Sequence, residues 1–237
     1  MFPIRDDQPR HSTPVVNYFI IGLNVLVYLF LEVPVQLQGH RAFDVLVSQF
    51  GLIPQHFTRA LEGSHQYALP ATVLTIFTSM FLHGDLFHIL GNLWFLWIFG
   101  DNIEDYLGHF PYLIFYLLCG FAAALTDIAL GPASPLPTIG ASGAIAGVMG
   151  AYILLYPRAR VLTLVVLIIF FTFWWIPAWV FLGYWFLIQF VATSIAASGA
   201  QQTGGVAFAA HVGGFIAGLI LIKVFPQRTR SYRYGSS

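Results

Sequence analysis

The stretch YLIFYLLCGFAAALTDIAL, residues 112–130, decides the class of fold. It carries one charged side chain, Asp127, and is long enough to cross the hydrocarbon core of a bilayer as an α-helix. Across its 237 residues the chain is 58% hydrophobic and 8% charged, whereas about a quarter of the residues in a soluble domain are charged. The sequence therefore predicts an integral membrane protein.

Similar apolar segments on both sides of residues 112–130 indicate that the chain crosses the membrane several times. A shorter apolar run at 87–100 follows a polar loop tip and stops at a charged segment. A β-barrel would show short segments of alternating polarity, which we do not find. We therefore predict an all-α membrane protein, a six-helix bundle with spans at about 15–33, 87–100, 112–130, 140–156, 177–197 and 206–225.

Residues 161–175 are also apolar and would make a seventh span possible. Lys and Arg accumulate on the cytoplasmic side of membrane proteins. With six spans both termini are inside, and eight basic residues lie inside against two outside, Arg41 and Arg59. A seventh span would move the basic C-terminal tail outside. We therefore expect residues 161–175 to form a membrane-embedded connection or a helix extension.

The spans divide the chain into a cytoplasmic N-terminal segment (1–14), a membrane domain (15–225) and a polar C-terminal tail (226–237). The longest connection, residues 34–86, is expected outside, between the first two helices. The first fourteen residues lack the apolar core of a signal peptide and carry two Asp, which argues against an organelle transit sequence. We expect a multi-pass protein of a bacterial-type plasma membrane.

Several classes of function are disfavoured by composition and motif. The net charge is zero and no basic run forms a stripe, so we expect no nucleic-acid partner. Cys119 is the one cysteine and cannot form an internal disulfide. The chain has no HExxH motif, and His83 with His88 makes a poor metal site, so we expect no metal.

Ser142 lies at the start of the fourth predicted helix, in the segment GASGAIAG that begins at Gly140. A serine in this position often only caps a helix. Gly143 and Gly147 form a small-xxx-small pattern, which lets membrane helices pack closely. On this segment alone, a packing role is the better supported interpretation.

His211 lies within the sixth predicted helix, next to a stripe of small residues that includes Gly214 and Gly218. An ionisable residue inside a span is costly and rarely present without a function or a partner. The alternative is a structural histidine hydrogen-bonded to a neighbouring helix.

Topology connects these two residues. The fourth and sixth helices both run inward from the outer face, and at about 1.5 Å per residue Ser142 lies roughly 3 Å and His211 roughly 9 Å below the helix starts. A serine hydroxyl needs an adjacent base to become a nucleophile, and a neutral imidazole suits that work. We predict a Ser-His dyad without an acidic third member, since nothing in the sequence places Asp127 beside His211.

His88 and Asn92 are four residues apart on one face of the second predicted helix, near its outer end. Both can donate hydrogen bonds, which acyl transfer needs at the developing oxyanion. For Asn92, a role in holding helices together is an equal alternative.

In these motifs the chain resembles the rhomboid family of intramembrane serine proteases over about residues 50–218. The matching pieces occur in the family's order. They are FGLIP (50–54), TSMFLHG (78–84), HILGN (88–92), FGDNIED (99–105), GASG (140–143) and AHVGG (210–214).

The resemblance implies six helices around a water-filled cavity, with Ser142 as the nucleophile and His211 as the base. His88, Asn92 and the Ser142 backbone N–H would form the oxyanion site. Such a protease cleaves transmembrane segments of other membrane proteins near the outer face, through an acyl-enzyme and without a cofactor. The fifth helix and residues 198–205 would act as gate and cap.

One departure from the family pattern concerns the base. Four residues after the serine the family often has Tyr or Phe packed on the histidine, and this chain has Ala146. The competing interpretation is a non-cleaving scaffold or a transporter. Transporters tend to show internal repeats, which are not visible here, and a non-cleaving relative would be expected to lose Ser142 or His211. The sequence makes no prediction of the oligomeric state.

Overall fold

The computed structural model describes residues 1–167, 170–197 and 208–228. This part of the chain is mostly helical and contains one small β-sheet. The helices are α1 (Val15–Val27), continued by a π-helical turn (Tyr28–Glu32) into α2 (Val33–Gln36), α3 (His40–Phe50), α4 (Pro54–Leu61), α5 (Leu69–Thr78) with a 3-10 turn (Ser79–Phe81), α6 (Leu86–Leu107), α7 (His109–Leu130), α8 (Ser142–Leu155), α9 (Ala178–Ala197) and α10 (Phe208–Leu221). The strands are β1 (Phe2–Asp6), β2 (Arg160–Leu167) and β3 (Phe170–Pro177).

Within the described residues, three helical segments are long and apolar enough to cross a membrane: Val15–Gln36, His109–Leu130 and Ala178–Ile195. Helices α5 and α6 pass the same test as a pair, with a bend of 84° between them. Helices α8 and α10 are apolar but shorter. The chain is a multi-pass integral membrane protein.

Helix α8 is at the centre of the bundle, in contact with α6, α7, α9 and α10. Its residues 143–152 are all buried. A helix that is apolar on every face is stable only when neighbours surround it, and α8 has this composition. The residue that begins α8, Ser142, is therefore held by the most enclosed element of the protein.

Glycines bring α8 and α10 into backbone contact. A Cβ atom added to Gly214 would lie 2.0 Å from the Gly143 carbonyl oxygen, and one added to Gly218 would lie 1.9 Å from the Gly147 carbonyl oxygen. No side chain fits at such distances. The spacing of these two helices is therefore set by their main chains.

Gly218→Ala is expected to lower the stability of the protein by about 1–3 kcal/mol, because the new methyl group would force α8 and α10 apart. Gly183→Ala on α9 is the matched control, since its Cβ atom would have nothing within 4 Å. Thermal unfolding in detergent measures both variants. Equal melting temperatures for the two would contradict the backbone contact.

The acidic end of α6 is buried because it caps α1. The Glu104 carboxylate accepts hydrogen bonds from the backbone N–H groups of Val16 (2.9 Å) and Asn17 (2.7 Å), which are in the first turn of α1. A carboxylate at this position satisfies amides that have no partner within the helix and complements the helix dipole. The helix predicted to stop near residue 100 therefore continues to Leu107.

The described chain is not all-α, and the prediction is corrected in this respect. Strand β2 pairs antiparallel with β1 on one side and with β3 on the other. The described residues of this stretch, 161–167 and 170–175, thus lie in paired antiparallel strands, so the helix extension expected for them is wrong, and they form no seventh helix. Their Val, Thr, Phe and Trp side chains favour strands over helices.

The sheet is attached to the helices through β1. The Trp94 indole N–H of α6 donates to the Pro3 carbonyl oxygen (2.6 Å), and the Phe2 ring stacks on Trp94 at 5.4 Å between centroids. At the other end of β1, the Tyr152 hydroxyl of α8 donates to the Asp6 carboxylate. The N-terminal segment predicted for residues 1–14 therefore contains a structured strand.

Asp6 is expected to make stability fall as pH rises. Burial raises the pKa of Asp6 to about 7, and the charge of Asp101 acts in the same direction, while the hydrogen bond from Tyr152 opposes both. The folded state therefore holds this proton more tightly than the unfolded state. The resulting stabilisation is complete below about pH 4 and is lost as pH rises through about 7.

Asp6→Asn removes this dependence and should stabilise the protein by roughly 1–2 kcal/mol at pH 8. Melting temperatures of the wild type and the variant, measured between pH 4 and 8, test this prediction. Asp7→Asn is the control: Asp7 is little buried, and its bonds to Arg160 leave its pKa lowered. An unchanged pH slope in Asp6→Asn would contradict the assignment.

The connection between the first two predicted spans contains helices α3, α4 and α5. Leu52 forms an isolated β-bridge with Thr138, in the segment that precedes α8. The Thr138 hydroxyl also donates to Asp127 of α7 (2.7 Å). The segment leading to Ser142 is therefore fixed on two sides. The predicted C-terminal tail is described only as far as residue 228.

Candidate active site

The turn before α8 depends on Gly140. Its φ of +121° lies in the region that favours glycine, and its N–H donates to the Ser79 carbonyl oxygen (2.9 Å). Two residues later Ser142 opens the helix, half-buried, with its hydroxyl directed toward α10. The serine is thus partly accessible at the end of a helix whose next ten residues are buried.

The structure brings Ser142 and His211 together. His211 lies in the first turn of α10, and its Nε2 atom is 2.7 Å from the Ser142 Oγ atom. The close approach of α8 and α10 at Gly143 and Gly214 makes this distance possible. The serine hydroxyl can donate to the imidazole, which is the geometry required for a base that activates a nucleophile.

The second nitrogen of His211 also has a partner. Nδ1 lies 2.8 Å from the Oε1 atom of Gln189, on α9. An amide oxygen can only accept, so the hydrogen of the neutral ring is on Nδ1 and the lone pair on Nε2 faces Ser142. The partner of Nδ1 is therefore an amide, and Asp127 instead bonds to Thr138.

Aromatic rings surround the imidazole. The Trp185 ring of α9 lies 5.8 Å from it between centroids, and the Phe208 ring lies 6.5 Å away, edge to face. Ala146 is fully buried within the core. The side chains that flank His211 thus come from α9 and α10, although the family often uses an aromatic residue at the position of Ala146.

His88 and Asn92 point toward the turn that holds the serine. A Cβ atom added to Gly140 would lie 2.7 Å from the His88 Nε2 atom and 3.5 Å from the Asn92 Nδ2 atom. A side chain at residue 140 would therefore occupy the space that these two nitrogens face. Glycine is required there for space as well as for φ.

A backbone contact orients His88. The Gly84 N–H donates to its Nδ1 atom (3.3 Å), which places the hydrogen of the neutral ring on Nε2. The Asn92 Nδ2 atom is buried and has no partner among the residues that the structure describes. A buried donor without a partner is costly, so two N–H groups are available here for a ligand oxygen.

His83 packs against His88. It is fully buried, its ring packs edge to face on His88 at 5.1 Å, and its backbone N–H donates to the Glu32 carboxylate (2.7 Å). The sequence analysis considered His83 only as a poor metal ligand together with His88 and did not single out Glu32. The available signal for Glu32 was that its carboxylate lies near the end of the apolar run 15–33.

Gln189 was the other residue that sequence reasoning missed. It is an amide within the apolar run 177–197, where a polar side chain usually needs a partner. The predicted cap, residues 198–205, lies outside the described residues. Among those that are described, no group of three or more His, Cys, Asp or Glu side chains could hold a metal ion.

Comparisons with known proteins point to one family. The family model described as Rhomboid domain matches residues 70–228. Rhomboid protein 1, mitochondrial, of Saccharomyces cerevisiae is 29% identical over 62% of the chain and 40% of its own length. Rhomboid protease GluP of Bacillus subtilis is 29% identical over 60% of the chain and 25% of its own length.

Rhomboid-like protein 11, chloroplastic, of Arabidopsis thaliana is 28% identical over 50% of the chain and 43% of its own length. The chain spans less than half the length of each of these three relatives.

Proposed function

The chain belongs to the rhomboid family, whose model matches more than half of it, and we propose that it is an intramembrane serine endopeptidase. Ser142 is the nucleophile and His211 the base. The observation that carries this proposal is the 2.7 Å contact between Ser142 Oγ and His211 Nε2 inside a membrane helix bundle. The relative named as a protease supports it.

In the first half of the reaction, Ser142 Oγ attacks the carbonyl carbon of the scissile peptide bond while its proton moves to His211 Nε2. The negative charge that forms on the carbonyl oxygen is stabilised by the N–H groups of His88, Asn92 and the Ser142 backbone. His211 then gives its proton to the leaving nitrogen. The carbon–nitrogen bond breaks, and an ester to Ser142, the acyl-enzyme, remains.

In the second half, His211 takes a proton from a water molecule, and the resulting hydroxide attacks the ester carbon. The same N–H groups stabilise the second tetrahedral intermediate. When it collapses, the proton returns from His211 to Ser142 Oγ and the carboxylate product leaves. No step requires a cofactor or a metal ion.

The membrane domain is residues 15–225, crossed by six spans that include α6 and the shorter α8 and α10. The charge distribution supports cytoplasmic termini and a site near the outer face. The substrates are transmembrane segments of other membrane proteins, which reach the site from the surrounding bilayer. Relatives come from a bacterium, mitochondria and a chloroplast, so family membership alone does not select one membrane.

Purified protein tests the proposal, first in detergent with a fluorophosphonate probe and then in liposomes with a single-span substrate. We expect labelling of Ser142 and one cleavage within or next to the span. Folded wild-type protein that is inert in both assays would instead support the non-cleaving scaffold.

A further inference from the structure

We propose that Gln189 is a positioning residue that holds His211 in its catalytic orientation and makes that orientation depend on the position of α9. The inference rests on the proposed Ser-His dyad and extends it to a third residue. The observation behind it is a continuous chain of hydrogen bonds, from Ser142 Oγ to His211 Nε2 (2.7 Å) and from Nδ1 to Gln189 Oε1 (2.8 Å).

A base must present an unprotonated nitrogen to the serine. A neutral imidazole has two tautomers, and the partner of the nitrogen away from the serine decides which one is populated. The Gln189 amide oxygen accepts from Nδ1–H and so keeps the Nε2 lone pair directed at Ser142. An amide has the same role beside the histidine of papain-like Cys-His-Asn proteases.

The same amide oxygen acts on the charged form of the ring. When His211 takes the proton of Ser142, Nδ1–H becomes a stronger donor, and an acceptor already in place stabilises it without reorganisation. A neutral oxygen stabilises this cation less than a carboxylate would. Gln189 therefore gives orientation and a moderate electrostatic contribution.

Helix α9 supplies more than one contact to the ring. Trp185 and Gln189 are four residues apart, hence on one face of α9, and both contact His211. The neighbouring Leu187 and Ile188 are exposed on the outer surface of the bundle. A displacement of α9 away from α10 would remove both contacts. The dyad is then fully oriented only while α9 is packed against α10.

The test compares Gln189→Met, which keeps the side-chain length without the amide oxygen, with Gln189→Glu, which restores an acceptor oxygen at the same position. Thr193→Val is the matched control: its hydroxyl is one turn further along α9 and donates to the Gln189 carbonyl oxygen. The readouts are the rate of fluorophosphonate labelling, kcat and KM for a single-span substrate, and the melting temperature.

We expect Gln189→Met to lower kcat and the labelling rate together, by about 10- to 100-fold, as when the partner that orients a metal-bound imidazole is removed. KM should change little. Gln189→Glu should recover most of both rates, and Thr193→Val should match the wild type. The small probe needs only an activated serine, so a parallel loss in labelling locates the defect at the dyad and not at substrate entry.

Three outcomes would overturn the inference while leaving the protease intact. They are wild-type rates in Gln189→Met, a loss of cleavage without a loss of labelling, and a loss that Gln189→Glu does not restore although its melting temperature is that of the wild type. A melting temperature lowered equally in both Gln189 variants, with the rates lost in both, would assign Gln189 to packing. Inert wild-type protein would remove the proposed function itself.

Discussion

Ser142→Ala is expected to abolish fluorophosphonate labelling and to reduce cleavage of a single-span substrate by at least about 10⁴-fold, and His211→Ala should do nearly the same. The reason is that the two residues act as one unit. Without the hydroxyl there is no nucleophile, and without the imidazole the hydroxyl is a weak one. The double variant should therefore be no worse than either single variant.

The controls are a serine and a histidine outside the site. Ser194 of α9 bonds to the Phe190 carbonyl oxygen, and His56 of α4 stacks on Tyr67. Ser194→Ala and His56→Ala should cleave at wild-type rates. Cleavage that survives in Ser142→Ala would show that another group is the nucleophile and would end the dyad proposal.

His88→Ala and Asn92→Ala should each lower kcat by about 10²–10³-fold, equivalent to about 3–4 kcal/mol of transition-state stabilisation. Both side chains carry an N–H group that faces the turn before Ser142. They would bind the carbonyl oxygen more strongly once it carries a negative charge. The loss should therefore fall mainly on kcat and much less on KM.

Leu90→Ala is the control for this pair, because Leu90 lies between the two residues on α6 and is exposed. Steady-state kinetics in detergent or liposomes give kcat and KM for all three variants. An effect confined to KM, or a lowered melting temperature that accounts for the loss, would return His88 and Asn92 to the role of holding helices together.

Much of the helical framework could be predicted from apolar segments alone, and the family predicted from the motifs is confirmed by the match to residues 70–228. The end of α6 could not be predicted, because the charged residues at 101–105 are typical of the end of a membrane span. One of these charges, Glu104, is stabilised by α1, nearly ninety residues away, where it caps Val16 and Asn17.

The sheet was missed for a related reason. Residues 161–175 are apolar on both faces and show no alternation, so a short buried strand and a helical segment look alike in sequence. The partner strand β1 is near the other end of the chain. Local patterns cannot report such a pairing.

The residues proposed for catalysis could be identified because an ionisable His211 inside a span is rare and because the motifs around Ser142 and His211 resemble those of one family. Gln189 could not be identified in this way, because its role depends on the contact between α9 and α10. An uncharged amide in an apolar run is also a weaker signal than an ionisable side chain.

The pairing of β1 with β2 also has a consequence for biosynthesis. The two strands are separated by about two thirds of the chain, so β1 must wait for its partner until α8 and then β2 have been synthesised. Closing so long a loop is slow and entropically costly. Strand β1 is thus synthesised long before β2 and reaches its final place only after the chain has been made as far as β2.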